Sequence, residues 1–287
     1  MNISFELYKI FYLVAKNASF SRAAQELCVS QSAVSQSVKT LEQRLGFPLF
    51  IRTTKSVSLT IDGELLYQHV EQAFAIISSA ESKLRNHQDP FQGELVIAST
   101  DTLCKYFLLP KIKELQKDFP KIKIKIINGT SLECLRILKN AKVDFAIVNL
   151  PTDLEKKNFN VEKSYCFNDV FVASSNSDFA KNMPLASIAR HPLLVLDHKS
   201  VTRQFLDSIF LKKGIVIQPE IELQNIDIIL EMTKIGLGIS FVPDMCVTST
   251  SFKIINTREK IPKRKYGIIS LKELPLIPVA QTFIEKL

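Results

Sequence analysis

Five side chains crowd a short stretch of the chain and share one chemistry. Gln31, Ser32, Ser35, Gln36 and Lys39 all carry hydrogen-bonding groups, and their spacing places them on one face of a helix. In a DNA major groove a glutamine amide can pair with an adenine edge. A serine hydroxyl suits several bases, and a lysine reaches a guanine edge or a phosphate. Ser30, in the turn just before them, joins the set. The same residue types are common on any solvated helix face, so the weight falls on what surrounds them. Further along, Arg52 and Lys55 lie in the hydroxyl-rich stretch from Arg52 to Thr60, where cations would meet phosphates or the minor groove.

Other chemistries find little support. Cys28, Cys104, Cys134, Cys166 and Cys246 stand 30 or more residues apart with no Cys-x-x-Cys pair, and the four histidines lie at no metal-ligand spacing from them. No metal and no cofactor is expected. The cysteines read as reduced thiols, mostly buried, with thiol sensing through Cys104, Cys134 or Cys166 as the alternative. The chain has no glycine-rich nucleotide loop, no Gly-x-Ser-x-Gly and no histidine-centred triad, which argues against an α/β enzyme with an added DNA-binding segment. Gly236-Leu237-Gly238 follows a helix and reads as its C-cap, not as a phosphate loop.

The elements that would position the Gln/Ser face can be read from periodicity. Leu7, Ile10, Phe11, Val14 and Ala15 form one apolar helical stripe. Ser19 or Ser21 caps a second helix whose inner face is Ala23, Ala24 and Leu27, small enough for close packing. A third helix runs from about Gln31 to Leu45, with Val34, Val38, Leu41 and Leu45 inward, Gly46 as C-cap and Pro48 beyond it. Phe47 to Thr60 then reads as two short strands around a basic turn, a wing.

The run Phe11, Val14-Ala15, Ser19-Phe20-Ser21, Ala23-Ala24, Leu27, Ser30-Gln31-Ser32-Ala33-Val34-Ser35, Leu41-Glu42, Leu45-Gly46, Leu49-Phe50, Arg52, Leu59-Thr60 and Gly63 resembles the signature of LysR-type transcriptional regulators, without a gap over more than fifty residues. The resemblance implies that Gln31, Ser32, Ser35 and Gln36 carry base or groove contacts, with Arg52 on the backbone or minor groove. Asn17-Ala18-Ser19 departs from it by lacking the glycine often found before Ser-Phe-Ser. Gln36-Ser37 departs where many members carry an Arg or Gln pair.

From Ile61 to about His87 the chain has no proline. Leu66, Val70, Ala73, Ile77, Ala80 and Leu84 repeat at 3.5 residues, a narrow seam suited to a two-helix contact. The resemblance implies antiparallel pairing between subunits, a homodimer, and a homotetramer beyond it. Asp89 to Gly93 breaks the helix as a hinge.

The remaining two hundred residues alternate strand and helix signals. Strands are expected at Glu94–Ser99, Lys121–Ile127, Val143–Val148, Val170–Ala173, Leu193–Leu196, Val216–Leu223 and Ile239–Val242. Helices are expected at Leu103–Asp118 with a kink at Pro110, Ser131–Asn140, Thr202–Lys213 and Ile226–Ile235. Lys265–Ser270 returns the chain to the first group of units, and Val279–Leu287 closes it. The alternation implies parallel sheets covered by helices. Two groups of units imply two subdomains with a cleft between, and the resemblance implies an effector domain like periplasmic ligand-binding proteins. The fold class is thus multi-domain: an all-α winged helix-turn-helix over 1–60, a linker helix and hinge over 61–90, and an α/β effector domain over 91–287. Its subdomain I spans about 91–163 and 268–287, and subdomain II about 164–267.

A ligand in such a fold sits at strand C-termini against helix N-termini. Ser99, Thr100 and Thr102 after the first strand, Thr130 after the second, Asn149 after the third, and Thr202 with Arg203 in the second subdomain are the candidates. Hydroxyls and free N–H groups suit a small anion such as a carboxylate, with Arg203 assisting. The same residues serve as ordinary helix caps in any α/β protein.

The net charge is +8, but residues 1–60 contribute seven basic against three acidic groups, and residues 61–90 two against five. Most of the excess therefore lies in the last domain, and basicity alone argues little for nucleic acid. No apolar run could span a bilayer, and Met1 to Glu6 shows no signal-peptide pattern, so a cytoplasmic protein is expected. The reading is a non-enzymatic regulator that binds double-stranded promoter DNA, responds to a small effector, and acts with RNA polymerase as a further partner.

Overall fold

The computed structural model describes residues 3–52, 56–85, 93–150 and 158–287. The chain divides into two compact units, Met1–Leu84 and Arg85–Leu287.

In the first unit α1 (Phe5–Asn17), α2 (Phe20–Leu27) and α3 (Gln31–Leu45) each begin at a serine whose hydroxyl accepts a backbone N–H of the first turn: Ser4, Ser19 and Ser30. Phe11, Val14, Ala23, Ala24, Val34, Val38 and Leu41 form the shared core, and the two alanines let α2 lie close to its neighbours. α1 and α2 both end on non-glycine residues in the left-handed region, Ala18 at φ 45° and Cys28 at φ 55°. The glycine missing from the signature is therefore missing where the backbone favours one. β1 (Phe50–Arg52) pairs antiparallel with β2 (Val57–Leu59), forming the wing. Glu42 of α3 anchors the wing, accepting the N–H groups of Leu49 and Phe50 at 2.7 and 3.2 Å. α4 (Ile61–Arg85) starts at Thr60, whose hydroxyl accepts Gly63 N–H and donates to Pro48 O. A Cβ at Gly63 would lie 2.1 Å from Leu49 O, so only glycine lets α4 cross there.

The second unit holds two mixed sheets. The first has the order β4-β3-β5-β13-β6, from β3 (Gly93–Ser99), β4 (Ile122–Asn128), β5 (Phe145–Asn149), β6 (Phe159–Phe167) and β13 (Arg264–Leu271). The second has the order β10-β9-β11-β7-β12-β8, from β7 (Asp169–Ser174), β8 (Asn182–Met183), β9 (Leu193–Leu196), β10 (Ile221–Leu223), β11 (Ile239–Pro243) and β12 (Phe252–Thr257). The helices packed on them are α5 (Asp101–Leu103), α6 (Leu109–Asp118), α7 (Ser131–Lys139), α8 (Leu185–Ile188), α9 (Val201–Leu211), α10 (Ile226–Lys234) and α11 (Pro278–Lys286). Each sheet has its own core, one around Leu95, Ile97, Phe145, Ile268 and Phe283, the other around Phe171, Leu193, Phe210 and Phe241.

The wholly parallel sheets expected from the alternation are corrected. β3, β4 and β5 run parallel, as do β9, β10 and β11, but β13 and β6 add antiparallel to the first sheet, and β7 and β12 to the second. β6, β8 and β12 were not foreseen. β6 is an edge strand exposed along most of its length, so it lacks a buried alternation to reveal it. The strand expected over 216–223 shrinks to Ile221–Leu223, because Pro219 brings no N–H to the ladder. The Pro110 kink is absorbed instead by a π-helical turn, Cys104–Leu108, inserted between α5 and α6. All of β6 and β13 belong to the first sheet, so the crossings fall at Asn168 and over 258–263, not at 163 and 267. The expected hinge over 89–93 lies outside the described residues up to its last position, Gly93.

Candidate functional site

The face of α3 stands as the spacing required. Val34, Val38 and Leu41 point inward, while Ser30, Gln31, Ser32, Gln36 and Lys39 are exposed and Ser35 is half-buried. Ser30 has two duties, accepting Ala33 N–H at 3.2 Å and bonding the Ser32 hydroxyl at 2.9 Å. The side chain of Arg52 and all of Lys55 lie outside the described residues.

The seam of α4 divides. Leu66 packs against the helix-turn-helix core and Val70 is buried within the same unit, so these two are used at home. Ala73 is half-buried, while Ile77 and Ala80 are exposed; the Leu84 side chain lies outside the described residues. Aromatic contacts fasten α1 to α4: Phe5 on Phe74 at 4.9 Å, Tyr12 on Phe74 at 5.2 Å and Tyr12 on Tyr67 at 5.8 Å.

In the second unit a cavity of about 170 Å³ opens between the two subdomains. Thr100, Thr102, Thr130, Asn149 and Thr202 all line it, so five of the seven candidate effector residues come together. Helix caps position several of them: Thr100 receives Leu103 N–H at 3.4 Å, and the cap Ser200 receives the Thr202 N–H at 3.2 Å. Thr130 and Glu133 form a reciprocal capping box on α7.

Two of the seven are corrected. Ser99 is fully buried and turns its hydroxyl to Thr100 O, so it supports the loop from behind. Arg203 does not reach the cavity. Its Nε donates to Asp207 at 2.8 Å, and its Nη1 to Glu222 at 2.5 Å and to Leu196 O at 3.2 Å. Burial opposes its charge, and the two carboxylates hold it there; Glu222 is in turn pushed below the usual carboxylate range by Arg203. The step of about 100° between adjacent helical residues places Arg203 on the inner side of α9 while Thr202 lines the cleft.

Sequence reasoning missed the carboxylates. Asp101, Glu133 and Asp197 line the cavity, and among the described residues no lysine or arginine does. Each carboxylate has local work: Asp101 accepts from the Asn128 amide, Asp197 from Lys199 N–H, and Glu133 from Thr130 N–H and hydroxyl, which lowers its pKa. A second omission is Arg264, buried at the start of β13. It forks onto Asp169 (2.5 and 2.6 Å), donates to Thr202 Oγ1 at 3.0 Å, and lies over Phe167 and Phe205. Burial pushes the Asp169 carboxyl up while the guanidinium pulls against it. Arg264 shares its look with Lys260, Lys263 and Lys265, and only a pairing across 95 residues separates it from them. A third tie across the subdomains joins Lys105 and Tyr106 of the π-helical turn to Asp227 of α10, at 2.6 and 2.7 Å. Burial and the Asp227 contact push the Tyr106 phenol up to about 12.

The thiol-sensing alternative gains nothing from the geometry. All five cysteines are free. Burial pushes Cys134 up to about 12 and raises Cys104 and Cys246 as well, which holds them as unreactive thiols. Cys28 and Cys166 are exposed. Among the described residues no group of His, Cys, Asp or Glu forms a metal set, and no helix is long and apolar enough to cross a membrane.

A winged helix-turn-helix joined to a two-subdomain cleft defines a class, the ligand-responsive DNA-binding regulators. The chain belongs to the LysR family of transcription regulators: residues 5–64 match the bacterial regulatory helix-turn-helix protein, lysR family, and residues 88–287 match the LysR substrate binding domain. This membership sets aside the enzyme reading. Similar proteins include the HTH-type transcriptional regulator SsuR of Burkholderia cenocepacia, 26% identical over 94% of this chain and 84% of that one. The regulator CysB of the same organism is 28% identical over 94% and 81%. Among solved structures, full-length OxyR of Pseudomonas aeruginosa, a cysteine-to-aspartate variant, shares the fold with a TM-score of 0.72 at 17% identity, covering 99% of this chain and 94% of that one. Full-length CbnR in complex with its target DNA gives 0.65 at 19% identity over 98% of both chains.

Proposed function

We propose that α3 reads the major groove of promoter DNA through Gln31, Ser32, Ser35, Gln36 and Lys39, with Ser30 bracing the turn and Arg52 and Lys55 of the wing on the backbone or minor groove. The exposed Gln/Ser face over a wholly apolar inner face is the observation that carries this reading. A small polar effector occupies the cleft lined by Thr100, Thr102, Thr130, Asn149 and Thr202, and alters the angle between the subdomains. Two chains pair through the free half of α4 around Ile77 and Ala80, and dimers pair again into a tetramer that engages RNA polymerase in the cytoplasm. Promoter binding by Gln36→Ala and Arg52→Ala tests the DNA half. Reduced affinity or relaxed specificity is expected, and unchanged behaviour in both variants overturns the assignment. A thermal-shift screen of amino acids, aromatic acids and sugar phosphates tests the cleft, and turnover of a hit would overturn the sensor reading.

A further inference from the structure

The two subdomains are tied at their crossings by a contact of one kind and away from them by a contact of another. Asp169 and Arg264 are the first residues of β7 and β13, where the chain has just passed between the sheets. Their forked pair is almost wholly buried, with side chains 0% and 9% exposed, so salt screens it little. Asn168, at the first crossing, donates from its backbone and its side chain to Asp244 at 3.3 and 2.9 Å. Together these bonds make a fixed pivot.

The other contact lies on different segments. Lys105 Nζ and Tyr106 Oη both donate to Asp227 Oδ1, at 2.6 and 2.7 Å, from the π-helical turn of the first subdomain to the first turn of α10 in the second. The lysine and aspartate side chains are 51% and 39% exposed, so this ion pair is open to solvent and holds weakly. Neighbouring residues of a helix do not face one another, so the convergence of Lys105 and Tyr106 on one oxygen is a specific fit. It is made at a π-helical turn, a device that recurs at functional sites. The Tyr106 ring also packs against the second-subdomain cluster that contains Ile226, Leu230 and Cys246.

Thr102 and Gln224 line the cavity from the two subdomains, and each stands three residues before a partner in this contact, Lys105 and Asp227. The width of the cavity and the state of the contact are thus joined by a short piece of chain on either side. We infer that Lys105, Tyr106 and Asp227 form a releasable latch that sets the angle between the subdomains, which turn about the Arg264–Asp169 pivot. Latched, the cleft keeps its present width; released, it widens while the pivot holds the two halves together. A buried pivot beside a half-exposed latch divides the labour: the strong contact carries the fold and the weak one carries the angle. The inference concerns the angle alone and stands whatever occupies the cleft.

The test reads the angle directly, as the distance between two spin labels in the full-length chain. Exposed Cys28 and Cys166 are replaced by serine, and labels are carried by Gln116→Cys on α6 and Lys212→Cys after α9, both exposed positions. Labelled chain is diluted in unlabelled chain so that only distances within one chain are read. The latched chain should show one narrow distance, with a longer one in less than about a tenth of the molecules. Lys105→Met with Tyr106→Phe keeps the stem and the ring but removes both donors. It should raise the longer population about tenfold, the worth of hydrogen bonds to a charged group, without moving the denaturant midpoint of the second unit. Asp227→Asn, which loses the ion pair and keeps an acceptor for Tyr106, should raise it about two- to fivefold. Lys105→Arg, still a donor and a cation, should keep the single distance. Raising salt from about 0.1 M to about 1 M shortens the reach of exposed charges from about 10 Å to about 3 Å. It should move the latched chain part of the way and leave the double variant where it is. An unchanged distance in the double variant overturns the latch, as does a latched chain that already shows both distances equally. A midpoint that falls in the double variant assigns the contact to stability and overturns it too.

Discussion

As the proposed readers of DNA and effector, the face of α3 and the walls of the cleft would solve the problem of recognition in opposite ways. On α3 the scaffold and the reader are different residues: Val34, Val38 and Leu41 hold the helix, and Gln31, Gln36 and Lys39 are left exposed. In the cleft the same polar groups do both jobs. Thr100 and Thr130 cap helices, Asp101 and Glu133 tie down loops, and Thr202 is held by Arg264. A reader with free side chains can change its sequence preference without disturbing its fold. A cleft built from caps and bridges has its specificity and its stability coupled.

The contrast can be broken most forcefully at the subdomain crossing. Asp169→Ala leaves the Arg264 charge buried and unpaired and should cost about 3–5 kcal/mol, seen as an earlier denaturant midpoint for the second unit alone. A first-unit transition that moved with it would show that the two units unfold together. Gly63→Ala drives a methyl group into the Leu49 carbonyl and should destabilise the first unit by about 1–3 kcal/mol, again by denaturant midpoint. On the reading face, Gln31→Ala should weaken a cognate promoter site by about 1–3 kcal/mol in a titration at fixed salt. Its midpoint should stay within about 0.5 kcal/mol of the native one. A comparable loss of stability would erase the division between scaffold and reader. Ala18→Gly relieves a left-handed alanine and should raise stability by about 1 kcal/mol. Smallest of all, mild peroxide should leave promoter binding unaltered. Iodoacetamide should label Cys28 and Cys166 well before Cys134 and Cys246, and prompt labelling of the latter two would reopen thiol sensing.

The same division explains what could be read beforehand. The three helices, the wing and α4 were legible because their apolar periodicity and serine caps are local signals, complete within a few turns. Five cleft residues were legible from equally local signals: Thr100 and Thr130 look like caps and are caps, and Thr202 follows the cap Ser200 in the first turn of α9. Arg203 misled because a cation two residues inside a helix looks available, and only the fold shows Asp207 and Glu222 around it. Arg264 and Asp169 escaped because their meaning lies in a pairing across 95 residues. β6 escaped because an exposed edge strand leaves no alternating pattern, and the antiparallel additions to both sheets went unseen with it.

The division of the α4 seam has a mechanical consequence. Val70, Tyr67 and Phe74 fasten the first part of this 25-residue helix to the body that carries α3, while Ile77 and Ala80 stand clear of it. At 1.5 Å per residue the helix is about 37 Å long, and it is fastened to that body through its first half. A partner gripping the helix around Ile77 and Ala80 would act on a lever arm. A few degrees of rotation applied there would be carried through the aromatic contacts into the body that holds α3.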